Sequence, residues 1–273
     1  MDLLYAVLCG FVQGACEFLP ISSSGHLALV HSMLKDVMPP PDAAFDVLLH
    51  FGTLFAVISA YRRDVYAICG AFFKMLGKVI KGRFDPRAAE PDEKLVIRLV
   101  LGTLPLALAA LVDDKIEALA SYPRVVGAML ILNGAMLLIF GKIKKGSLKC
   151  HEIGLSGALG VGLFQLAATV PGISRSGATI SGCELFGVRR DDAVRFSFLL
   201  SIPAITGANV FSAIKCLDSS VAVDPAQCIL GTATAAITGA LAIKIIKKLA
   251  KSKKFDIFGI YCLIIGGAAL IRG

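Results

Sequence analysis

A series of uncharged apolar runs constrains this chain more than any other feature: residues 125–141, 153–174, 196–214, 225–243 and 257–271 contain no Asp, Glu, Lys or Arg. A membrane-crossing helix needs about 20 mostly apolar residues, and several runs reach that length once their polar flanks are counted. No water is available inside a bilayer to pair backbone N–H and C=O groups, so such segments close their hydrogen bonds within themselves as helices. With 273 residues, 56% of them hydrophobic, and a mean hydropathy of +0.76, the chain is too apolar for a soluble α/β enzyme of its length. Gly and Ala are abundant inside the runs, which suits helices that approach closely in lipid. The expected fold class is therefore all-α, a polytopic membrane protein, with residues 1–273 forming a single integral-membrane domain.

The rest of the composition removes other classes. A net charge of +8 comes without a basic stripe interleaved with aromatics, so nucleic acid is not an expected partner; the basic residues gather in a few loops, the pattern of membrane orientation. The eight cysteines form no C-x-x-C pair and no zinc spacing. Cys9, Cys16, Cys69, Cys183 and Cys262 sit in apolar surroundings as small hydrophobes, while Cys216 and Cys228 flank a short loop and would pair only in an oxidising compartment. The chain opens Met1-Asp2 with no Lys or Arg before Lys35. It lacks the basic start of a cleavable signal, and the amino terminus is read as retained.

One dense polar interruption lies near the amino terminus, residues 13–26, QGACEFLPISSSGH. It carries Gln13, Glu17, Ser22, Ser23, Ser24, Gly25 and His26, groups that lipid tails leave unsatisfied and that must face protein or a water-filled cavity. Pro20 stops the preceding helix at about two-thirds of a bilayer. The serines then offer capping hydroxyls to a second short helix toward Lys35. Two short helices joined by a polar turn read as a re-entrant hairpin; a single span over 3–19 is the alternative. After Pro39-Pro40-Pro41, residues 45–61 are expected to span, with Asp46 and His50 near the entrance. Residues 65–80, carrying Lys74 and Lys78 on one face, suit the interface. Residues 95–112 span with a kink at Pro105, an acidic loop 113–117 follows, and 123–140 span. Residues 153–170 are helical up to Pro171-Gly172; Ser174-Arg175-Ser176-Gly177 opens a short helix, and 193–214, 225–246 and 255–271 span.

Counting along the chain brings out an internal repeat. Gln13 precedes Ser22 of S-S-S-G by nine residues, Gln165 precedes Ser174 of S-R-S-G by nine, and each interval holds a proline, Pro20 or Pro171. Further on, FDVLLHFG from Phe45 lines up with FSFLLSIP from Phe196. The halves, about 1–141 and 151–273, each supply one re-entrant hairpin and three spans. The odd number of spans makes them antiparallel, an inverted-topology repeat with six transmembrane helices. Threaded this way, segments 62–94, 142–149, 189–195 and 244–254 fall on one side and hold 21 of the 28 Lys and Arg residues. The positive-inside rule makes that side cytoplasmic, and the two polar tips are expected to meet near the midplane from opposite sides.

Gln13 and Glu17 are four residues apart and share a helix face; Ser23 and His26 are three apart at the next helix start. The start of a helix offers unpaired N–H groups and partial positive charge to a phosphate. Arg175 adds the side chain best shaped to hold a phosphate by two hydrogen bonds. Facing tips give two helix starts, an arginine, hydroxyls, a carboxylate and an imidazole, which is a site for a phosphoryl group. Taken singly the same residues have plainer readings: a serine-rich turn is a cap, a buried Glu is a proton or ion relay, and Arg175 anchors by pairing Glu184. Their joint occurrence at matching positions of a repeat favours the site.

The run Q-G-x-x-E-F-L-P-I-S-S-S-G-H together with P-G-I-S-R-S-G-A-T-I-S resembles the bacterial undecaprenyl-diphosphatase family of the bacitracin-resistance type, and the likeness extends over essentially the whole chain. It implies an integral-membrane phosphatase that converts undecaprenyl diphosphate to undecaprenyl phosphate, recycling the carrier for cell-wall synthesis. It further implies a site on the outer side of the bacterial cytoplasmic membrane and a divalent cation. By this resemblance Glu17, Ser23, His26 and Arg175 are the catalytic set. Many members carry Glu at the position of Gln13, so Gln13 is assigned to hydrogen bonding and metal binding chiefly to Glu17. Ser22, Ser24, Gly25, Ser174, Ser176 and Gly177 are expected to bind phosphate, with Mg²⁺ or Ca²⁺ as the hard cation that takes oxygen ligands. Ser23 either attacks phosphorus or positions water, with His26 moving the proton. The expected partners are the polyprenyl diphosphate and membrane lipid; a homodimer is left open. The rival reading is a polyprenyl-phosphate flippase or ion-coupled transporter, because broken helices meeting at a midplane also mark transporters.

Overall fold

The computed structural model describes residues 3–36, 43–142, 146–216, 224–250 and 254–273. The Pro39-Pro40-Pro41 break lies outside them, as does the Cys216 side chain on which the proposed pairing with Cys228 depends. The described residues are helical throughout except for connecting turns and a single bridge, Leu148 to Val188. In order, the helices are α1 (Leu3–Phe18), α2 (Ser23–Leu34), α3 (Ala43–Ala60), α4 (Arg62–Ile80), α5 (Pro91–Thr103), α6 (Asp113–Leu119), α7 (Pro123–Phe140), α8 (Leu155–Ala167), α9 (Arg175–Leu185), α10 (Arg190–Cys216), α11 (Pro225–Ala250) and α12 (Ile257–Arg272).

Among the described residues, four stretches are long and apolar enough to cross a membrane: Pro91–Leu111, Pro123–Phe140, Arg190–Lys215 and Pro225–Ala250. The α3–α4 pair would count as a fifth, but α4 turns through 88° from α3. That bend sets α4 nearly at right angles to α3. There Lys74 pairs with Glu90 at 2.6 Å and Lys78 with Glu93 at 2.5 Å. The span expected over 95–112 is present within Pro91–Leu111, and the break at Pro105 takes the form of a change of pitch: α5 ends at Thr103, and Leu104–Leu111 continues as a tighter 3₁₀ helix, with Pro105 near its start lacking the N–H that an α-helix would need. One expectation needs correction. The acidic stretch 113–117 is not a loop but the first part of α6, where Asp113 and Asp114 occupy the first turn and favour the helix start electrostatically.

Helix directions follow from which residues meet. Gly10 and Gly14 of α1 approach Gly231 and Gly239 of α11 so closely that a Cβ on Gly10 would lie 2.4 Å from the Gly231 carbonyl oxygen. The contacts advance in the same sense on both helices, so α1 and α11 run parallel. In the other half, Arg98 reaches the Ile153 carbonyl and Gly102 packs on Ala158 and Gly162, so α5 and α8 are likewise parallel. In contrast, α7 and α12 are antiparallel: Gly127 meets Gly266 and Gly134 meets Gly259, two glycines seven residues apart on each helix. Small residues here let backbones touch, which supplies the packing that lipid cannot drive by hydrophobicity. The core behind the tips is aromatic, with Phe18, Tyr61 and Phe198 in edge-to-face contact.

Candidate active site

The two broken helices meet. α1 ends at Phe18, and the chain turns through Leu19–Pro20 into Ser22, whose φ of 72° is the one left-handed value at a non-glycine among the described residues. Such a conformation costs about 1–2 kcal/mol and persists where surrounding contacts hold it. Ser22 nevertheless caps α2, its hydroxyl accepting from the Gly25 N–H at 3.2 Å. The second tip repeats the cap, with Ser174 accepting from the Gly177 N–H at 3.2 Å, and uses Gly172 at φ 103° for its turn. A Cβ on Gly25 would lie 2.8 Å from Gly172 Cα, so the tips are in backbone contact.

Glu17 bridges them. Its Oε1 accepts from Arg175 Nη2 at 2.5 Å, and its Oε2 accepts from Ser23 Oγ at 2.7 Å and from Gln13 Nε2 at 3.2 Å. The Glu17 and Arg175 side chains are only 8% and 15% exposed, so the charges compensate one another in a dry setting. Arg175 also leans on the Ser197 carbonyl, and Thr179 holds Ser197 through a 2.7 Å hydroxyl contact. A cavity of about 270 Å³ opens beside this cluster, lined by Glu17, Ser22, Ser23, Ser24, Ser174 and Arg175, with His50 and Gln165 on its walls. It adjoins an apolar cavity of about 1070 Å³, and Ser24, His50, Leu106, Thr169, Ala204 and Ala208 line both.

Not every residue expected at the site reaches this cavity. His26 turns away: its Nδ1 lies 2.7 Å from the Ser22 carbonyl, its Nε2 lies 2.9 Å from the Tyr261 hydroxyl, and its ring stacks on Tyr261. Although Ser23 and His26 are three apart, Ser23 faces Glu17 and His26 faces α12. Gly25 and Gly177 spend their N–H groups on the caps, and Ser176 donates to the Leu19 carbonyl at 3.2 Å. Arg175 does not pair Glu184, which belongs to Arg190 at 2.5 Å.

Three residues were not assigned to the site from sequence. Asn133 of α7 donates to the Pro20 carbonyl at 3.0 Å and accepts from the Ser174 N–H at 3.0 Å, fastening both tips at once. His50 of α3 places Nδ1 2.8 Å from the Asp46 carbonyl and lines the polar cavity. Gln165, the repeat counterpart of Gln13, lines it too, and both glutamines bury an Oε1 without a partner. A lone Asn in an apolar span and a His at a span entrance carry no motif; only the repeat pointed to Gln165.

A divalent cation can be tested against these donors. Gln13 turns its Nε2 to Glu17 Oε2 and buries an Oε1 without a partner; that amide oxygen and the Glu17 carboxylate are donors of the hard type that Mg²⁺ or Ca²⁺ takes together with substrate phosphates. In donor chemistry the residues fit. Elsewhere, Asp113, Asp114 and Glu117 come within ligand spacing of one another. There Lys215 holds Asp113 at 2.6 Å and Asp114 at 2.8 Å, and its hydrogen bond keeps Asp114 below the usual carboxylate range.

Fold and site together define a class: a multi-pass helical membrane protein in which two broken helices bring a carboxylate, an arginine and serines together beside a buried cavity. A family model described as Bacitracin resistance protein BacA matches residues 6–268. The chain belongs to that family. It is 36% identical to the undecaprenyl-diphosphatase of Desulforapulum autotrophicum, over 100% of this chain and 99% of that protein. It is 39% identical to the undecaprenyl-diphosphatase of Korarchaeum cryptofilum, over 99% of each. The undecaprenyl-diphosphatase of Rubrobacter xylanophilus is 41% identical over 89% of this chain and 88% of that protein.

Proposed function

We propose that the protein hydrolyses undecaprenyl diphosphate to undecaprenyl phosphate and inorganic phosphate, returning the lipid carrier to peptidoglycan synthesis and conferring resistance to bacitracin. One observation carries the reading: Glu17 joins the hydroxyl of Ser23 to the guanidinium of Arg175 across two tips from different halves of the chain. A carboxylate alone would suit a proton relay. With a hydroxyl on one oxygen and an arginine on the other, at two helix starts, it suits phosphoryl transfer.

In this mechanism the terminal phosphate enters the polar cavity and draws Arg175 from Glu17 onto its oxygens. Glu17, released, accepts the Ser23 hydroxyl proton as Ser23 Oγ bonds the terminal phosphorus and the bridging P–O bond breaks to release polyprenyl phosphate, after which water cleaves the phosphoserine to inorganic phosphate. Alternatively, Ser23 orients a water that gives its proton to Glu17 and attacks the terminal phosphorus directly, with the same leaving group. First-turn N–H groups of α2 and α9 neutralise charge on the transferred group. Gln13 and Glu17 would hold the divalent cation, which supplies further neutralisation when bound. The adjoining apolar cavity takes the polyprenyl tail, because its mouth is shared with the polar one. His26, locked between the Ser22 carbonyl and Tyr261, holds the strained turn.

The inverted repeat belongs to the same proposal: six spans (α3, α5 with its 3₁₀ continuation, α7, α10, α11, α12) and two hairpins. Parallel α1 and α11 matched by parallel α5 and α8, with α7 and α12 antiparallel, support it. So does the ionic clustering, with Asp64–Arg195 and Arg190–Glu184 near one end of the bundle and Lys215–Asp113 near the other. The basic end is cytoplasmic, and the site opens to the outer face of the cytoplasmic membrane. The test is phosphate release from undecaprenyl diphosphate by purified protein. Release by the wild type, reduced on the order of 100-fold or more in Glu17→Gln and Arg175→Ala, is expected. No release from any polyprenyl diphosphate with or without Mg²⁺ or Ca²⁺ would reject the phosphatase and favour a carrier.

A further inference from the structure

The passage between the two cavities is lined by six residues, of which only Ser24, His50 and Thr169 carry polar side chains. On the reading above, the terminal phosphate lies with Glu17, Ser23 and Arg175 and the tail lies in the apolar cavity. Chain connectivity then puts the inner, lipid-linked phosphate in this passage. Thr169 already donates to the Leu166 carbonyl at 2.8 Å, and the Ser24 hydroxyl lies 3.4 Å from that of Ser22. His50 differs: Nδ1 is fixed on the Asp46 carbonyl at 2.8 Å, which orients the ring and leaves Nε2 for a ligand.

We propose that His50 holds the inner phosphate of the substrate, and the phosphate of the departing polyprenyl phosphate, through Nε2 at the junction of the two cavities. A carbonyl at Nδ1 and a phosphate oxygen at Nε2 both accept, so in the bound state the imidazole donates at both nitrogens. The charged and titratable side chains lining the same two cavities are Glu17 of α1 and Arg175 of α9 on the polar side, and Asp46 of α3, His31 of α2, and Asp113 and Glu117 of α6 on the apolar side. The contact strengthens as charge moves onto the leaving phosphate, so it aids departure as well as binding. This assigns a cavity-facing imidazole in the first half of the chain in place of His26, whose nitrogens are both occupied.

The test uses three short-chain ligands on the purified full-length protein: farnesyl diphosphate as substrate, farnesyl phosphate as product inhibitor and farnesol as the tail alone. His50→Leu is expected to weaken farnesyl phosphate about tenfold or more, the size of one hydrogen bond to a charged group, and to leave farnesol within about twofold. His50→Gln keeps a donor near Nε2 and is expected to restore most of the loss. His50→Asn, which keeps the bond to the Asp46 carbonyl but lacks reach, should resemble His50→Leu. Unchanged farnesyl phosphate binding in His50→Leu, or parallel weakening of farnesol and farnesyl phosphate, overturns the assignment. So does rescue by His50→Asn, which would make His50 a structural tie. Failure of the wild type to release phosphate from farnesyl and undecaprenyl diphosphates instead removes the functional reading beneath it.

Discussion

Asn133 concentrates more of the site's geometry than its single side chain suggests. Replacing it with Leu strips a donor from the Pro20 carbonyl and an acceptor from the Ser174 N–H, both buried. Each orphaned group costs about 1–3 kcal/mol, and the two tips lose their common tie. Asn133→Leu should lower the unfolding temperature in detergent and reduce kcat more than Asn133→Asp, which keeps the acceptor for Ser174; equal effects of the two would contradict this. Ser22→Ala should cost about 1 kcal/mol by losing the cap while keeping the left-handed strain, and Ser22→Gly should cost less because it relieves that strain. At this scale the motif residues Glu17, Ser23 and Arg175 were legible because charge and hydroxyls have no other use in an apolar run. The partner of His26 was not legible, because spacing along a helix gives a face, whereas Tyr261, 235 residues away, decides where the ring goes. His50 was noticed as polar but had no signal tying it to the tips, since the tie is made only by the meeting of α3 with the cavity.

Among the helices, glycines divide sharply by what surrounds them. A Cβ on Gly266 would meet the Gly127 carbonyl oxygen at 2.6 Å, whereas one on Gly70 of α4 would meet nothing within 4 Å. Gly266→Ala should therefore push α7 and α12 apart and lower stability. Gly70→Ala should raise it by up to about 1 kcal/mol, through helix propensity alone. Thermal unfolding of both variants checks the pair; a stabilising Gly266→Ala would mean that the seam is looser than its contacts indicate. The boundaries of α1, α7 and α9 were readable because prolines and cap serines punctuate them. The 3₁₀ stretch Leu104–Leu111 was not, because Leu and Ala leave its pitch undetermined and only Pro105, set against Gly162 of α8, favours the tighter turn. The acidic segment looked like a loop for the same reason: charge density was read without the stabilisation that Asp113 and Asp114 give to the first turn of α6.

Across the whole molecule, the sense in which contacts advance along paired helices carries information that hydropathy lacks. Parallel α1 and α11, parallel α5 and α8, and antiparallel α7 and α12 agree with the proposed threading, in which α6 and the bend after α4 lie on opposite sides. On that threading the segment that joins α4 to α5 carries Lys81, Arg83 and Arg87, whereas α6 carries one basic residue, Lys115, so the positive-inside rule predicts α6 outside. The matching caps at Ser22 and Ser174 were legible from Gln, Pro and Ser counted at equal intervals; helix direction was not, because a sequence holds no record of which glycine meets which. Single cysteines at Lys115 and at Arg83, in a background lacking all eight native cysteines, test the orientation in intact cells. A membrane-impermeant thiol reagent should label the Lys115 position directly and the Arg83 position only after permeabilisation. Labelling of both from outside would break the threading, and the reverse pattern would place the site's mouth toward the cytoplasm, where a phosphatase could not return carrier released on the outer face.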